Sequence, residues 1–306
     1  MPVEKATPPP EIPEKIRIGT LVQGNSQTAQ YIKTILPYGF ESFSITFWKF
    51  LGDVSLEKMA EEVHAALEGS NAVISCLSIF GNPLNGDSDA EETLRGWREL
   101  IKNAHRFGCD LVTGFTGRVV NKPIPDSIPV YREVYSELSD LAQEHGVRIA
   151  FENCSMGGNW QSGDWNIAHN PDAWQLMFEA LDRSNIGLEW EPCHQMVQLI
   201  DPIAQLREWA PRIFHVHGKD ATVNWDIIHK HGIGGPKPIA HHRTPGFGDS
   251  DWRKIITILR QHNFVGSIDI EGWHDPVYRG ELEMTGQVHA LNYLKFCRGG
   301  DYVPNP

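Results

Sequence analysis

No run in this 306-residue chain approaches the ~18 consecutive apolar residues that a membrane-spanning helix needs, so no membrane association of that kind is expected. The amino terminus, MPVEKATPPPEIPEK, lacks the apolar segment of a secretion signal and reads instead as a Pro-rich arm over residues 1–14. Cysteine is scarce: Cys76, Cys109, Cys154, Cys193 and Cys297 are odd in number, widely spaced and form no C-x-x-C. That excludes a disulfide framework and a structural zinc site, and it predicts a protein of the reducing cytoplasm. An excess of positive charge is also missing. Lys and Arg number 27 against 39 Asp and Glu, a net charge of −12. Such a field repels phosphate backbones, so no nucleic-acid partner is expected. Finally, the turn after the first strand-like run reads LVQGNSQ rather than G-x-G-x-x-G, which excludes a dinucleotide site of the doubly wound type.

Strand-like runs alternate with amphipathic stretches from residue 15 to the end of the chain. Residues 15–22 (KIRIGTLV), 42–48 (SFSITFW) and 72–79 read as strands, followed by helices at 29–37, 55–68 and 90–107. A fourth strand at 110–115 precedes a helix at 130–145, closed by Gly146. Strands at 147–151, 186–190, 213–216 and 267–270 continue the rhythm. Asn170-Pro171 and Asp201-Pro202 each pair an N-cap with a proline in the first turn. Regular alternation implies a parallel sheet with right-handed crossovers, and eight units fit a closed (β/α)8 barrel. The expected organisation is the arm 1–14, a barrel over 15–298 and a tail 299–306.

In such a barrel the chemistry collects at the carboxyl ends of the strands. The fifth strand ends in Phe151-Glu152-Asn153 and the sixth in Glu189-Trp190-Glu191-Pro192-Cys193-His194. The seventh ends in His215-Val216-His217-Gly218-Lys219-Asp220 and the eighth in Asp269-Ile270-Glu271. Parity turns Glu189 with Glu191, His215 with His217, and Asp269 with Glu271 toward the barrel axis. Carboxylates converging there would repel one another without a cation, and an oxygen-rich set with one imidazole suits Mn²⁺, Mg²⁺ or Co²⁺, with Zn²⁺ also admissible.

These strand ends, F-E-N, E-x-x-H, H-x-H-x-K-D and I-x-I-E, resemble the xylose isomerase-like TIM barrels, which include sugar-phosphate isomerases, ketose 3-epimerases and inosose dehydratases. The segment Arg243-Thr-Pro-Gly-Phe-Gly-Asp-Ser-Asp-Trp252 and the loop Ser78-Ile-Phe-Gly-Asn-Pro-Leu84 are similar to family segments too. The resemblance implies Glu152, Glu191, His217 and Glu271 as metal ligands, with Glu191 standing where the family commonly has Asp. Glu189 is the alternative ligand, and His215, one layer below His217, orients ligands by hydrogen bonds. The resemblance also implies that Glu152 and Glu271 are the acid–base pair and that His194 contacts substrate. Related DNA-repair nucleases carry further histidines after strands two and three, where this chain has Thr-Phe-Trp-Lys and Ser-Ile-Phe-Gly.

The expected activity is a metal-dependent sugar isomerase or epimerase working by proton abstraction beside a carbonyl through an enediolate. Two alternatives remain: a lyase or dehydratase of a keto-sugar, keto-glycoside or inosose, and a sugar-binding protein without catalysis. The substrate class is a sugar or polyol derivative, and the sequence leaves the oligomeric state, a homo-oligomer included, open. Lys219 either grips a substrate oxygen or forms a rim salt bridge with Asp220. Arg243 is a second anchor, and Trp48 and Trp160 are candidate stacking surfaces, with Trp165, Trp225 and Trp273 also near the mouth. The long segments after strand five (155–165) and after strand seven (222–242, carrying His229, His231, His241 and His242) are expected lids.

Overall fold

A computed structural model describes residues 16–300 and residue 303; the predicted arm 1–14 and most of the predicted tail lie outside these. Repeating units begin with β1 (Arg17–Gln23), α1 (Thr28–Ile35), β2 (Ser42–Phe47), α2 (Leu56–Leu67), β3 (Val73–Ile79) and α3 (Ser88–Asn103). They continue with β4 (Leu111–Gly114), α4 (Ile124–Glu144), β5 (Arg148–Glu152), α5 (Pro171–Ala180) and β6 (Ile186–Trp190). A short α6 (Pro192–Met196) precedes α7 (Pro202–Trp209) and β7 (Ile213–Gly218). Next comes an excursion of β8 (Asp220–Val223), α8 (Trp225–His231) and β9 (Ala240–Arg243). The chain then completes the fold with α9 (Trp252–Gln261), β10 (Ser267–Ile270) and α10 (Glu283–Arg298).

Eight strands close into a parallel barrel in the order β1-β10-β7-β6-β5-β4-β3-β2, so the expected (β/α)8 architecture is the observed one, with β10 as its eighth strand. The helix starts follow their caps. Asp87, Asn170, Asp201 and Asp251 each accept a hydrogen bond from a backbone N–H of the first turn, which would otherwise be orphaned. One boundary departs from expectation. The helix expected at 130–145 begins at Ile124 and runs through Pro129. Pro125 costs little in a first turn that needs no N–H partner. Pro129 forfeits one bond, and the buried face of Ile124, Tyr131, Tyr135 and Leu138 outweighs it.

The apolar core lies between the strands and the helix ring, where Trp97, Trp174, Trp190 and Trp252 are all fully buried. The barrel interior is different. Small polar side chains fill its lower half: Cys76 Sγ and Thr113 Oγ1 donate to Ser44 and Ser78 at 3.1 and 2.8 Å. The segment after β7 is an ordered antiparallel hairpin rather than a free loop, with Asp220 opposite Arg243 and Thr222 opposite His241. Among the described residues no helix is long and apolar enough to cross a membrane.

Candidate metal and catalytic site

Glu152 ends β5, Glu191 caps α6 just past β6, His217 sits in β7, and Glu271 follows β10. Their ligand atoms all lie within 4.8 Å of one another. His217 Nδ1 is 3.8 Å from Glu152 Oε1 and 3.5 Å from Glu271 Oε2. All four are buried, and both oxygens of Glu191, both nitrogens of His217 and Glu271 Oε2 have no hydrogen-bond partner of acceptable geometry among the described residues. Buried polar atoms are nearly always satisfied, so a cluster of orphans marks a place where something outside the chain completes the set. Three carboxylates and one imidazole form the oxygen-rich donor set that suits a hard or borderline divalent cation. The residues fit such an ion.

Beneath this ring lies a second one. His215 is held at both nitrogens, Nδ1 to Glu189 Oε1 and Nε2 to Asp269 Oδ2, each at 2.8 Å. Asp269 also accepts from the hydroxyls of Ser42 and Ser75. Gly19 makes this possible: a Cβ there would sit 2.2 Å from Asp269 Oδ1. Glu189 Oε1 also lies 3.1 Å from His217 Nε2, an electrostatic contact without hydrogen-bond geometry, while Nδ1 faces the carboxylates. Burial disfavours charge on Glu189, but His217 and His215 outweigh it and bring its pKa down to about 2. Burial likewise opposes charge on His215, and Cys76, Asp269 and Glu189 together drive its pKa well above the usual range.

Lys219 and His194 border the ring. Lys219 Nζ donates to Glu271 Oε1 at 2.7 Å and lies 3.3 Å from His194 Nε2. Asp220 does not pair with Lys219. Successive residues point to opposite sides, and Asp220 accepts instead from Trp252 Nε1 at 3.1 Å and from the Ser250 and Ala221 backbone. His194 Nε2 approaches Glu191 Oε1 to 2.6 Å. Burial first, then the nearby Lys219 charge, pushes the His194 pKa well below the usual imidazole range, so the ring is neutral. Glu271 is the reverse: burial raises its pKa, but the Lys219 charge first and the nearby His217 and His274 rings outweigh that and hold it as a carboxylate. Burial raises Glu152.

Above the ring opens a cavity of about 690 Å³, within the usual range for small-molecule sites. Glu152, His194, His217, Lys219, Glu271 and Trp48 all line it. One wall is aromatic: Phe80 and Phe115 pack at 5.0 Å and Trp48 rests on Trp165 at 5.6 Å. The opposite wall is Trp273 with His274, and β9 contributes His242. Two predicted contacts are not among the lining residues. Arg243 Nε turns to Asp275 Oδ2 at 3.0 Å. Trp160 packs against the core, while its carbonyl accepts from the Ile124 backbone and the buried Arg118 guanidinium. Trp225 is exposed on α8 beside His229. Sequence reasoning gave Phe80 and Phe115 no role; both directly follow a strand, at Ile79 and Gly114, which was the available signal.

Residues 32–295 match the model of the xylose isomerase-like TIM barrel family. An inosose dehydratase of Clostridium tetani (strain Massachusetts / E88) is 25% identical over 186 residues, 56% of this chain and 58% of the relative. The chain therefore spans little more than half the length of that dehydratase. Among solved structures, the 3-keto-D-glucoside 4-epimerase YcjR of E. coli superposes with a TM-score of 0.67 at 16% identity, over 92% of this chain and 100% of that one. The IolI protein, solved with a bound zinc atom, superposes at 0.64 with 18% identity, over 92% of this chain and 96% of that one.

Proposed function

The chain belongs to the xylose isomerase-like TIM barrel family, and from that premise we propose that it is a divalent-metal-dependent sugar epimerase or isomerase that moves a proton at the carbon beside a carbonyl. Glu152, Glu191, His217 and Glu271 would hold the ion. When bound, it would polarise the substrate carbonyl and so acidify the neighbouring C–H.

One observation carries the reading: two of the three ring carboxylates reach into the cavity from well-separated strands. Glu152 comes from β5 and Glu271 from just past β10, with β6 and β7 between them in the barrel. A substrate in the cavity therefore meets a carboxylate on each of two sides. Glu271, kept ionised by Lys219, removes the proton at its Oε atoms. Glu152, which burial shifts toward the protonated form, returns one from the other side and inverts the centre. Return on the adjacent carbon gives isomerisation. Lys219 Nζ and His194 are placed to hold a substrate oxygen, and the aromatic wall excludes water.

The likeness to inosose dehydratases favours a second reading, in which the same first proton transfer ends in loss of a hydroxyl as water. One experiment addresses both. With Mn²⁺-loaded protein and candidate ketoses or inososes in D₂O, deuterium should enter beside the carbonyl, and chelation should stop it. Exchange with a retained hydroxyl supports epimerisation or isomerisation, and exchange with an unsaturated product supports elimination. Turnover of a sugar without any washed-in deuterium overturns the proton-transfer reading, and exchange that survives verified metal removal overturns the metal.

A further inference from the structure

A second cavity, of about 390 Å³, adjoins the catalytic one and shares Leu21, Gln23 and Trp273 with it. We propose that this side cavity is a subsite for a second sugar ring, so that the substrate is a glycoside or short oligosaccharide rather than a free monosaccharide. The proposal rests on reading the main site as one for a keto-sugar.

The geometry starts from Trp273. It follows Glu271 by two residues and has a φ of +68°, a backbone conformation that a bulky side chain rarely adopts. The His274 N–H donates to the Gly272 carbonyl at 2.9 Å, closing a γ-turn of the rarer positive-φ kind around Trp273. Strain of this sort persists only where the surroundings impose it, and it concentrates where a side chain has to be aimed. The aim is visible here, because the indole is a wall of both cavities and is 40% exposed. The turn is also packed onto the side cavity. A Cβ on Gly272 would lie 2.9 Å from Gln287 Nε2 and 3.0 Å from Glu283 Oε1, so the strand end sits close against these two side chains. Gln287 in turn accepts from Thr20 Oγ1 of β1 at 2.6 Å and donates to Glu283 at 3.1 Å, which fixes the floor.

The lining chemistry selects the ligand. Gln23, Gln27, Tyr31 and Glu283 surround the space, and among the described residues no Lys, Arg or His lines it. A phosphate would meet a carboxylate and no cation, so a sugar phosphate does not suit it. The side-chain amides of Gln23 and Gln27 and the Tyr31 hydroxyl hold no hydrogen bond to other described residues, which leaves donors and acceptors for a neutral, hydroxyl-rich molecule. The indole offers the flat apolar surface against which the C–H face of a sugar ring packs. A group attached to a ring held at Glu271 crosses Trp273 to enter this space.

The test is calorimetric titration of the Mn²⁺-loaded full chain with D-fructose and with lactulose, a ketohexose bearing a second hexose. The expected result is binding of both, with lactulose tighter by about tenfold or more. Gln27→Trp fills the cavity from an exposed position, and Tyr31→Ala removes a wall; either should bring the ratio of the two affinities toward one. D-fructose binding with no gain from the second ring, or a gain that survives both substitutions, overturns the subsite and leaves the main reading standing. Failure of the metal-loaded protein to bind either ketose overturns the main reading and the subsite with it.

Discussion

Asp269 and Glu271 stand two residues apart at the end of one strand, yet they are treated in opposite ways. Asp269 accepts from His215, Ser42 and Ser75. Glu271 accepts from Lys219 with one oxygen, and its other oxygen has no hydrogen-bond partner among the described residues. The same contrast divides the two rings to which they belong. The lower ring spends its donors and acceptors on itself, apart from Glu189 Oε2, and ties β2, β3, β6, β7 and β10 together across the barrel axis. The upper ring keeps Glu191 and His217 buried and without a hydrogen-bond partner among the described residues. A buried ion pair that is fully bonded resists disruption, whereas carboxylates held together without partners store repulsion. The lower ring therefore builds the platform, and the upper ring is built for what binds on it.

The sharpest way to break this comparison is within the upper ring itself. Glu271→Gln and Glu191→Gln each remove one charge from the ring while keeping volume and an oxygen donor. Both should weaken metal binding. At saturating Mn²⁺, turnover of the Glu191 variant should recover substantially, while the Glu271 variant should stay down by about 10²–10⁴-fold, the usual worth of a general base. Steady-state kinetics across a metal titration measures this. Equal recovery of both would make the carboxylates ligands only and move the acid–base role to His194 and Lys219.

A smaller effect separates the rings in metal-free protein, read by urea unfolding. Asp269→Asn strips the charge that His215 and two hydroxyls share, and should cost about 2–4 kcal/mol. Glu191→Gln relieves repulsion among carboxylates and should leave stability unchanged or raise it. A loss from Glu191→Gln as large as that from Asp269→Asn would mean the upper ring is as much platform as the lower.

How far the sequence spoke depends on the same distinction. The barrel was legible because each strand run and each cap is local: Asn170-Pro171 and Asp201-Pro202 start helices where expected. The upper ring was legible in part: parity and strand-end position turn Glu191, His217 and Glu271 toward the axis, but the set with Glu152 came from the family resemblance, and the structure brings these four together. Arg243 was not, because its partner Asp275 lies beyond the next strand and no local pattern announces the pairing. Trp160 was misread for a similar reason: Arg118, buried and bonded to the carbonyls of Lys122, Asn159 and Trp160, folds the loop so that the indole meets the core. The excursion after β7 reads as a loop because the pairing of β8 with β9 spans some twenty residues of polar, Gly-rich chain.

At the opposite end of the barrel Glu41 extends the comparison, since it is a closed carboxylate of the lower-ring kind placed near solvent. It accepts from the Ile18 N–H at 2.9 Å and from both terminal nitrogens of Arg298, which also donates to the Ile16 carbonyl at 2.8 Å. Glu41 thus staples the end of α10 to the entry of β1. Burial raises its pKa, but Arg298 and the Ile18 N–H outweigh that and lower it from 4.5 to about 2. A depressed carboxylate stabilises the fold above its unfolded pKa, and that contribution disappears as pH falls from about 4.5 toward about 2. The group is only half-buried, so screening by solvent limits the effect to about 1 kcal/mol. Wild type should therefore exceed Glu41→Gln in unfolding free energy at pH 7, and the gap should narrow as pH falls below about 4.5 and close only toward about 2. Glu152, whose carboxyl pKa burial pushes up, should contribute with the opposite sign, since protonating it relieves an unfavourable buried charge. A Glu41→Gln gap that stays constant across this range would place the contribution of Glu41 in its packing against Arg298 rather than in its charge.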